Sequence, residues 1–272
     1  MINFTRCHPI ELDDLLRVGS AKDGGYVISK RQIENTKILL SFGINRDWTF
    51  EYDFNERKNV RVYAYDYSIK KFPFVNKKFA KEYMRMDKTL DFLRRSKVKK
   101  FKNELCLSKK FDQFFNNKAG RYFIPKFIGQ YDDDKNICFE SIFKELGTVE
   151  DNSVFLKMDI ESAEYLCLPQ LLPFIKKING IVVEFHQLDI AEKKFDEIME
   201  MFSEYFYVAH VHGNNCAKLI YKTNIPKVLE MTFICKSLVP GKINLSGKKY
   251  PINGLDAPCN LLAEDYQFFF TN

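Results

Sequence analysis

KILLSFGINRDWTFEYDFNERKNVRVYAYD (residues 37–66) contains two strand-like runs whose ends decide how the whole chain is read. The first, Lys37–Gly43, is apolar on both faces and stops at a glycine. The second, Asn59–Asp66, alternates and stops at an aspartate 23 residues further on. Five later runs have the same build: Tyr122–Gly129, Ser153–Asp159, Gly180–His186, Phe206–His212 and Lys227–Lys236. Pro125 assigns the first of these to a sheet edge or an entry bend. Near-continuous apolar strands separated by helical patterns predict a mostly parallel sheet covered on both faces, an α/β fold. Between strands, Asp189 and Glu192 resemble a capping box ahead of the stripe Phe195, Ile198, Met199 and Phe202, and Asp87 is placed to cap a helix reaching Phe101. No repeat or Gly/Ser-rich linker divides the chain. One domain over 1–272 is expected, carrying a basic helical insert at about 70–121.

The chain has 272 residues, 46% of them hydrophobic and 26 of them Phe, which is enough for a sizeable core. Its formal charge of +6 is unevenly placed. Lys70–Lys126 holds 18 basic against 5 acidic residues, a net +13, so the remainder carries −7. Seven scattered cysteines without C-x-x-C spacing argue against a disulfide framework or a zinc cluster. The first residues lack a basic stretch followed by an apolar one, and the longest apolar run, Tyr165–Ile175, is interrupted by Pro169 and Pro173. A soluble, cytoplasmic protein without a transmembrane segment is the expectation.

Open α/β sheets bind ligands beyond the carboxyl ends of their strands, and here those ends carry Gly43, Asp66, Gly129, Asp159, His186 and His212. An aspartate ending the second strand is placed to accept hydrogen bonds from a ribose cis-diol, as nicotinamide dinucleotides and S-adenosylmethionine both require. The loop SFGINRDW has only Gly43, whereas a pyrophosphate cradle needs G-x-G-x-x-G. Carboxylates at Asp47, Glu51, Asp66 and Asp159 also suit a cationic sulfonium. The residues therefore favour S-adenosylmethionine over a nicotinamide cofactor.

Methyl transfer to a hydroxyl is helped by a base near the acceptor proton. His186 directly follows the fifth strand and is the expected general base, with His212 next as base or substrate contact. His210 reads as a hydrogen-bonded core histidine. Asp159 belongs near the methyl donor or acceptor hydroxyl, Glu161 positions substrate, and Glu164 reads as a first-turn acid favoured by the helix dipole. A less favoured arrangement has Asp159, Glu184 and His186 holding Mg2+ to polarise the hydroxyl. Asn214 and Asn215 supply donors and acceptors suited to sugar hydroxyls, or form an ordinary turn.

Several segments together resemble one family. RVGSAKDGGYVI (17–28), LLSFGINRDWTFEYDF (39–54), VYAYD (62–66), FLKMDIESAEY (155–165), IVVEFH (181–186), VAHVHGNNC (208–216) and PINGLDAPCNLLAEDY (251–266) are similar to the FkbM-type methyltransferases, bacterial surface-polysaccharide branch. Within them, Ser162 stands where the family pattern usually has glycine. The resemblance implies a seven-stranded Rossmann-like class I methyltransferase sheet whose last strand is antiparallel, with Lys227–Lys236 in that slot. It also implies S-adenosylmethionine-dependent O-methylation of a sugar hydroxyl, on a nucleotide-linked saccharide such as a GDP-heptose or on a capsular one. Asp23 and Tyr26 then fall beside the cofactor or acceptor.

The basic insert is either a solvated helix face or a functional surface. It would suit a phosphate-bearing acceptor, RNA or an anionic membrane, in that order, because no RNA-binding module accompanies it. An RNA methyltransferase or RNA-binding protein, and a non-catalytic S-adenosylmethionine-binding protein, are the rival functions. Aromatic residues of the insert and tail could seed a homodimer or close over substrate, and spacing chooses neither.

Overall fold

The computed structural model describes residues 4–21, 23–69, 106–267 and 269–270. The chain opens with an antiparallel hairpin, β1 (Leu15–Val18) and β2 (Tyr26–Ser29), followed by α1 (Lys30–Asn35). β3 (Ile38–Phe42), α2 (Thr49–Arg57) and β4 (Arg61–Tyr65) form the unit quoted above. A helix over 106–114, α3, precedes β5 (Arg121–Ile124). The short pair β6 (Phe127–Ile128) and β7 (Asn136–Ile137) leads into α4 (Phe139–Leu146). Then come β8 (Val154–Met158), α5 (Glu164–Cys167), a 3-10 stretch Leu168–Lys177, β9 (Ile178–Phe185), α6 (Leu188–Ser203), β10 (Phe206–Gly213) and β11 (Leu229–Cys235).

Seven strands make the main sheet in the order β10-β11-β9-β8-β3-β4-β5. Ladders among β9, β8, β3, β4 and β5 are parallel, while β11 runs antiparallel to both β9 and β10. All seven sequence-predicted strands are present, and the last in sequence is the antiparallel one. This is an α/β, Rossmann-like sheet, mostly parallel with one antiparallel strand. Pro125 terminates β5 at the sheet edge, as its missing N–H requires.

Burial on both faces explains the apolar runs. Leu40, Phe42, Leu156, Met158, Val183 and Phe185 point into one core with α4 and α6, while Leu39, Val62, Phe155 and Val182 face Phe50, Phe54 and the hairpin. The helix stripe Phe195, Ile198, Met199 and Phe202 is buried as expected. The expected capping box is not formed: α6 already starts at Leu188, so Asp189 lies in its first turn and pairs with Lys227 at 2.6 Å. The helix expected after Asp87, and the insert from 70 to 105, lie outside the described residues. No helix among the described residues is long and apolar enough to cross a membrane.

From β3 the chain winds outward to β4 and β5, then returns to β8 on the other side of β3. The strand order therefore reverses between β3 and β8, where an open sheet leaves a crevice. Gly43 ends β3 there with φ +76°, and a Cβ at this position would lie 1.7 Å from the Asp159 carbonyl oxygen. Only glycine meets both conditions. Gly43→Ala is expected to cost about 3 kcal/mol or more in chemical denaturation, and wild-type stability would contradict this account of the crevice.

Candidate active site

A cavity of about 540 Å³ opens at this crevice, lined by Gly43, Asp66, Phe127, Ile128, Asp159 and Glu161, among others. Its size falls within the usual range for small-molecule sites. Asp66 is buried, and its carboxylate is fixed by its own loops: Asn45 N–H donates to Oδ2 at 2.7 Å, and Ser68 N–H and Oγ donate to Oδ1 at 2.8 and 2.5 Å. A carboxylate has about four acceptor positions, so these three bonds leave capacity for one hydroxyl. Phe127 and Ile128 supply apolar walls, and Asp159 and Glu161 add carboxylates. This lining fits a ligand bearing a hydroxyl, a flat apolar ring and a cationic centre.

Beyond Asp159 the ends of β8 and β9 converge on His186. Its Nδ1 is 3.3 Å from Glu164 Oε1, which also accepts the His186 backbone N–H at 2.7 Å. Its Nε2 faces Asp159 Oδ1 at 3.8 Å, Glu161 Oε2 at 3.7 Å and Glu184 Oε2 at 3.9 Å. Burial opposes a charge on this ring, but the Glu164 hydrogen bond and the charges of Glu164, Asp159 and Glu161 prevail and push its pKa up. Glu184 is buried, and desolvation followed by the charges of Asp159 and Glu230 holds its carboxyl well above the usual range. Asn214 Nδ2 donates to Glu184 Oε1 at 2.7 Å, and Tyr26 OH lies 3.5 Å from Asp159 Oδ2.

Of the residues expected to bind cofactor, Gly43, Asp66 and Asp159 line the cavity and three others do not. Asp47 accepts from Thr49 N–H at 2.9 Å at the start of α2 and lines a separate groove with Trp48 and Tyr52. Glu51 is fully buried against the Ser41 hydroxyl, with its carboxyl pushed up by burial. Gly129 belongs to the loop beside β7, donating to Ile137 O at 2.9 Å. Among residues expected near substrate, Glu161, Tyr26 and Asn214 gather around Asp159 and Glu184. Asp23 stands at the exposed rim, with its carboxyl raised by desolvation and then by Glu230, Asp159 and Asp47. Asn215 is spent on the tail, donating to Asn260 O at 3.0 Å and accepting Asn260 N–H at 2.7 Å.

Two groups matter more to the site than their sequence positions suggested. Glu164 is indeed in the first turn of α5, and it is also completely buried and clasps His186, a contact that the first-turn reading did not include. Lys157, near the carboxyl end of β8, is buried, donates to Gly43 O at 2.5 Å and lies 3.9 Å from Asp159 Oδ2. A lysine within an otherwise apolar strand is the signal that could have found it. Ser162 adopts φ +82°, which explains why glycine suits that position. Ser162→Gly is expected to raise stability by about 1 kcal/mol in denaturant titration, and a loss would contradict the left-handed turn.

His212 has neither ring nitrogen free: Nδ1 bonds Glu230 Oε2 at 3.1 Å and Nε2 bonds Asp265 Oδ2 at 2.9 Å. It therefore ties the tail to β10, as the buried pair His210–Asp256 does at 3.1 Å. Burial disfavours the His212 charge, but Asp265 and Glu230 outweigh it and, with Asp256, push its pKa up from 6.5 to about 10. Asp256 is lowered, because its contacts with His210 and His212 outweigh burial. The His212 contribution to stability is complete below pH 6.5 and is lost as pH rises to about 10, whereas that of Asp256 is lost only in acid. The thermal midpoint should accordingly fall between pH 6.5 and 10, and His212→Gln should flatten that slope. An unchanged slope would place the titration elsewhere.

No protein-family profile and no curated protein matches the sequence. Solved structures with a similar fold include the fibrillarin pre-rRNA processing protein of Methanococcus jannaschii, 10% identical with a TM-score of 0.36, covering 75% of this chain and 68% of that one. The precorrin-6y C5,15-methyltransferase of Geobacter metallireducens is 10% identical with a TM-score of 0.32, covering 75% and 86%. A 16S rRNA (adenine(1408)-N(1))-methyltransferase of Catenulisporales acidiphilia is 11% identical with a TM-score of 0.29, covering 81% and 97%. Likenesses at these scores carry no conclusion about the activity or substrate of this chain.

Proposed function

We propose that this chain is an S-adenosylmethionine-dependent O-methyltransferase whose acceptor is a saccharide hydroxyl. The observation that carries the reading is the continuity of two sites at one sheet edge. Asp159 and Glu161 line the cavity and also face His186. Bound in the cavity, S-adenosylmethionine supplies an electrophilic methyl group. Asp66 would accept from one ribose hydroxyl, Phe127 and Ile128 would flank the adenine, and the carboxylates would favour the sulfonium. The single glycine at position 43 is enough for a ligand without phosphates.

On the acceptor side, the Glu164–His186 contact orients the imidazole so that Nε2 faces Asp159, Glu161 and Glu184, next to the cavity. His186 is the residue on which activation of the hydroxyl turns. Asn214, Tyr26 and the surrounding carboxylates offer hydrogen-bonding groups suited to a polyhydroxyl ring. The FkbM-type resemblance supports the same class of acceptor. The strongly basic sequence from Lys70 to Lys126 favours one that carries phosphates, as a nucleotide-linked saccharide does.

His186→Ala is expected to keep S-adenosylmethionine affinity within about twofold while turnover falls by about 100-fold or more. Asp66→Asn should weaken that affinity about tenfold in calorimetry without changing acceptor selectivity. The acceptor class is tested by incubating the protein with S-adenosylmethionine and a panel of nucleotide sugars, with mass spectrometry of the products. A sugar gaining one methyl group supports the reading. Methylation of RNA, with every sugar untouched, overturns the acceptor assignment.

A further inference from the structure

We propose that Asp159, Glu184 and His186 form a binding site for a divalent cation of the Mg2+/Mn2+ class, beside the cavity. One potential ligand atom from each lies within 4.8 Å of the others. An octahedral cation with bonds of about 2.1 Å spans about 3 Å between adjacent ligands and about 4.2 Å between opposite ones, so a small inward movement closes the site. Two carboxylate oxygens and one imidazole nitrogen, with positions left for water or a substrate hydroxyl, suit Mn2+ and Mg2+.

Features beyond the clustering of acids point to a ligand. Glu184 is more than nine-tenths buried, and Asn214 satisfies only its Oε1. Oε2 has no hydrogen-bond partner among the described residues and faces His186 Nε2. The imidazole is held from behind by Glu164, itself fully buried, which is the carboxylate–histidine arrangement that orients metal ligands. Charge balance agrees. Asp23, Asp159, Glu184 and Glu230 act on one another, and Lys157, the ammonium in contact with Asp159, lies against its other oxygen, Oδ2. A dication between Asp159 Oδ1 and Glu184 Oε2 would relieve the repulsion between the two carboxylates.

The proposal deepens the methyltransferase reading at the same site and rests on it only for what the cation does: to lower the pKa of the acceptor hydroxyl next to the methyl donor. Binding itself is tested with Mn2+ alone, by electron paramagnetic resonance titration of the full chain. One ion per chain with micromolar affinity is expected in the wild type, and Glu184→Gln and Asp159→Asn should each weaken it at least about tenfold. Asp151→Asn, at the opposite end of β8, should bind as wild type does. If Glu184→Gln fails to fold, Asp159→Asn decides, since its side chain is partly exposed. No stoichiometric Mn2+, or equal affinity in wild type and Asp159→Asn, overturns the site. Calorimetry with S-adenosylmethionine on the same samples separates the two readings. Cofactor binding without Mn2+ binding removes only the cation, and Mn2+ binding without cofactor binding supports the site while removing the methyltransferase reading.

Discussion

Carboxylates buried at the end of an apolar sheet are tolerated only when each is paired or hydrogen-bonded, and that constraint organises this molecule. Glu51, Asp66, Glu164, Glu184 and Glu230 are all buried near the carboxyl ends of the central strands or against them. Their partners are correspondingly unusual for a core. Ser41 holds Glu51, the backbone of two loops holds Asp66, and His186 answers Glu164. His212 is wedged between Glu230 and the tail, and Lys157 is buried beside Asp159. Among the described residues, the buried carboxylates and their partners thus gather toward the carboxyl end of the sheet.

The same constraint explains the tail. Residues after β11 fold back over β10 and β11, held by Asp256, Asp265 and the peptide groups bound by Asn215. They bring a carboxylate to the buried His210 and a second one to His212, which Glu230 of β11 already pairs. The aromatic tail, read from sequence as either a dimer surface or a cover, packs against its own chain here, with Phe270 stacked on His8 and Phe4. The acidic remainder of the chain, at −7, accordingly includes structural acids as well as those facing the cavity.

Much of the fold was legible because it rests on local signals. Strand runs buried on both faces advertise themselves, and a glycine or aspartate at their ends marks the functional edge. Strand ends placed Gly43, Asp66 and Asp159 at the cavity and His186 beside Asp159. Asp47, Glu51 and Gly129 were grouped with them because sequence distance cannot tell which way a side chain points from a loop or helix. Asp47 turns to cap α2, and Glu51 turns inward to Ser41. The contact of Glu164 with His186 was missed for a related reason. First-turn acids usually meet solvent, and only the packing of α5 against the end of β9 reveals that this one meets His186. The pairing of His212 with Asp265, 53 residues away, is a tertiary contact with no trace in spacing.

The central claim is that the crevice between β3 and β8 holds S-adenosylmethionine. Its most direct test is calorimetric titration of that cofactor into the purified chain. The account predicts binding of one molecule per chain with micromolar affinity, competed by S-adenosylhomocysteine. No heat of binding at millimolar cofactor, from protein with a cooperative unfolding transition, would contradict it.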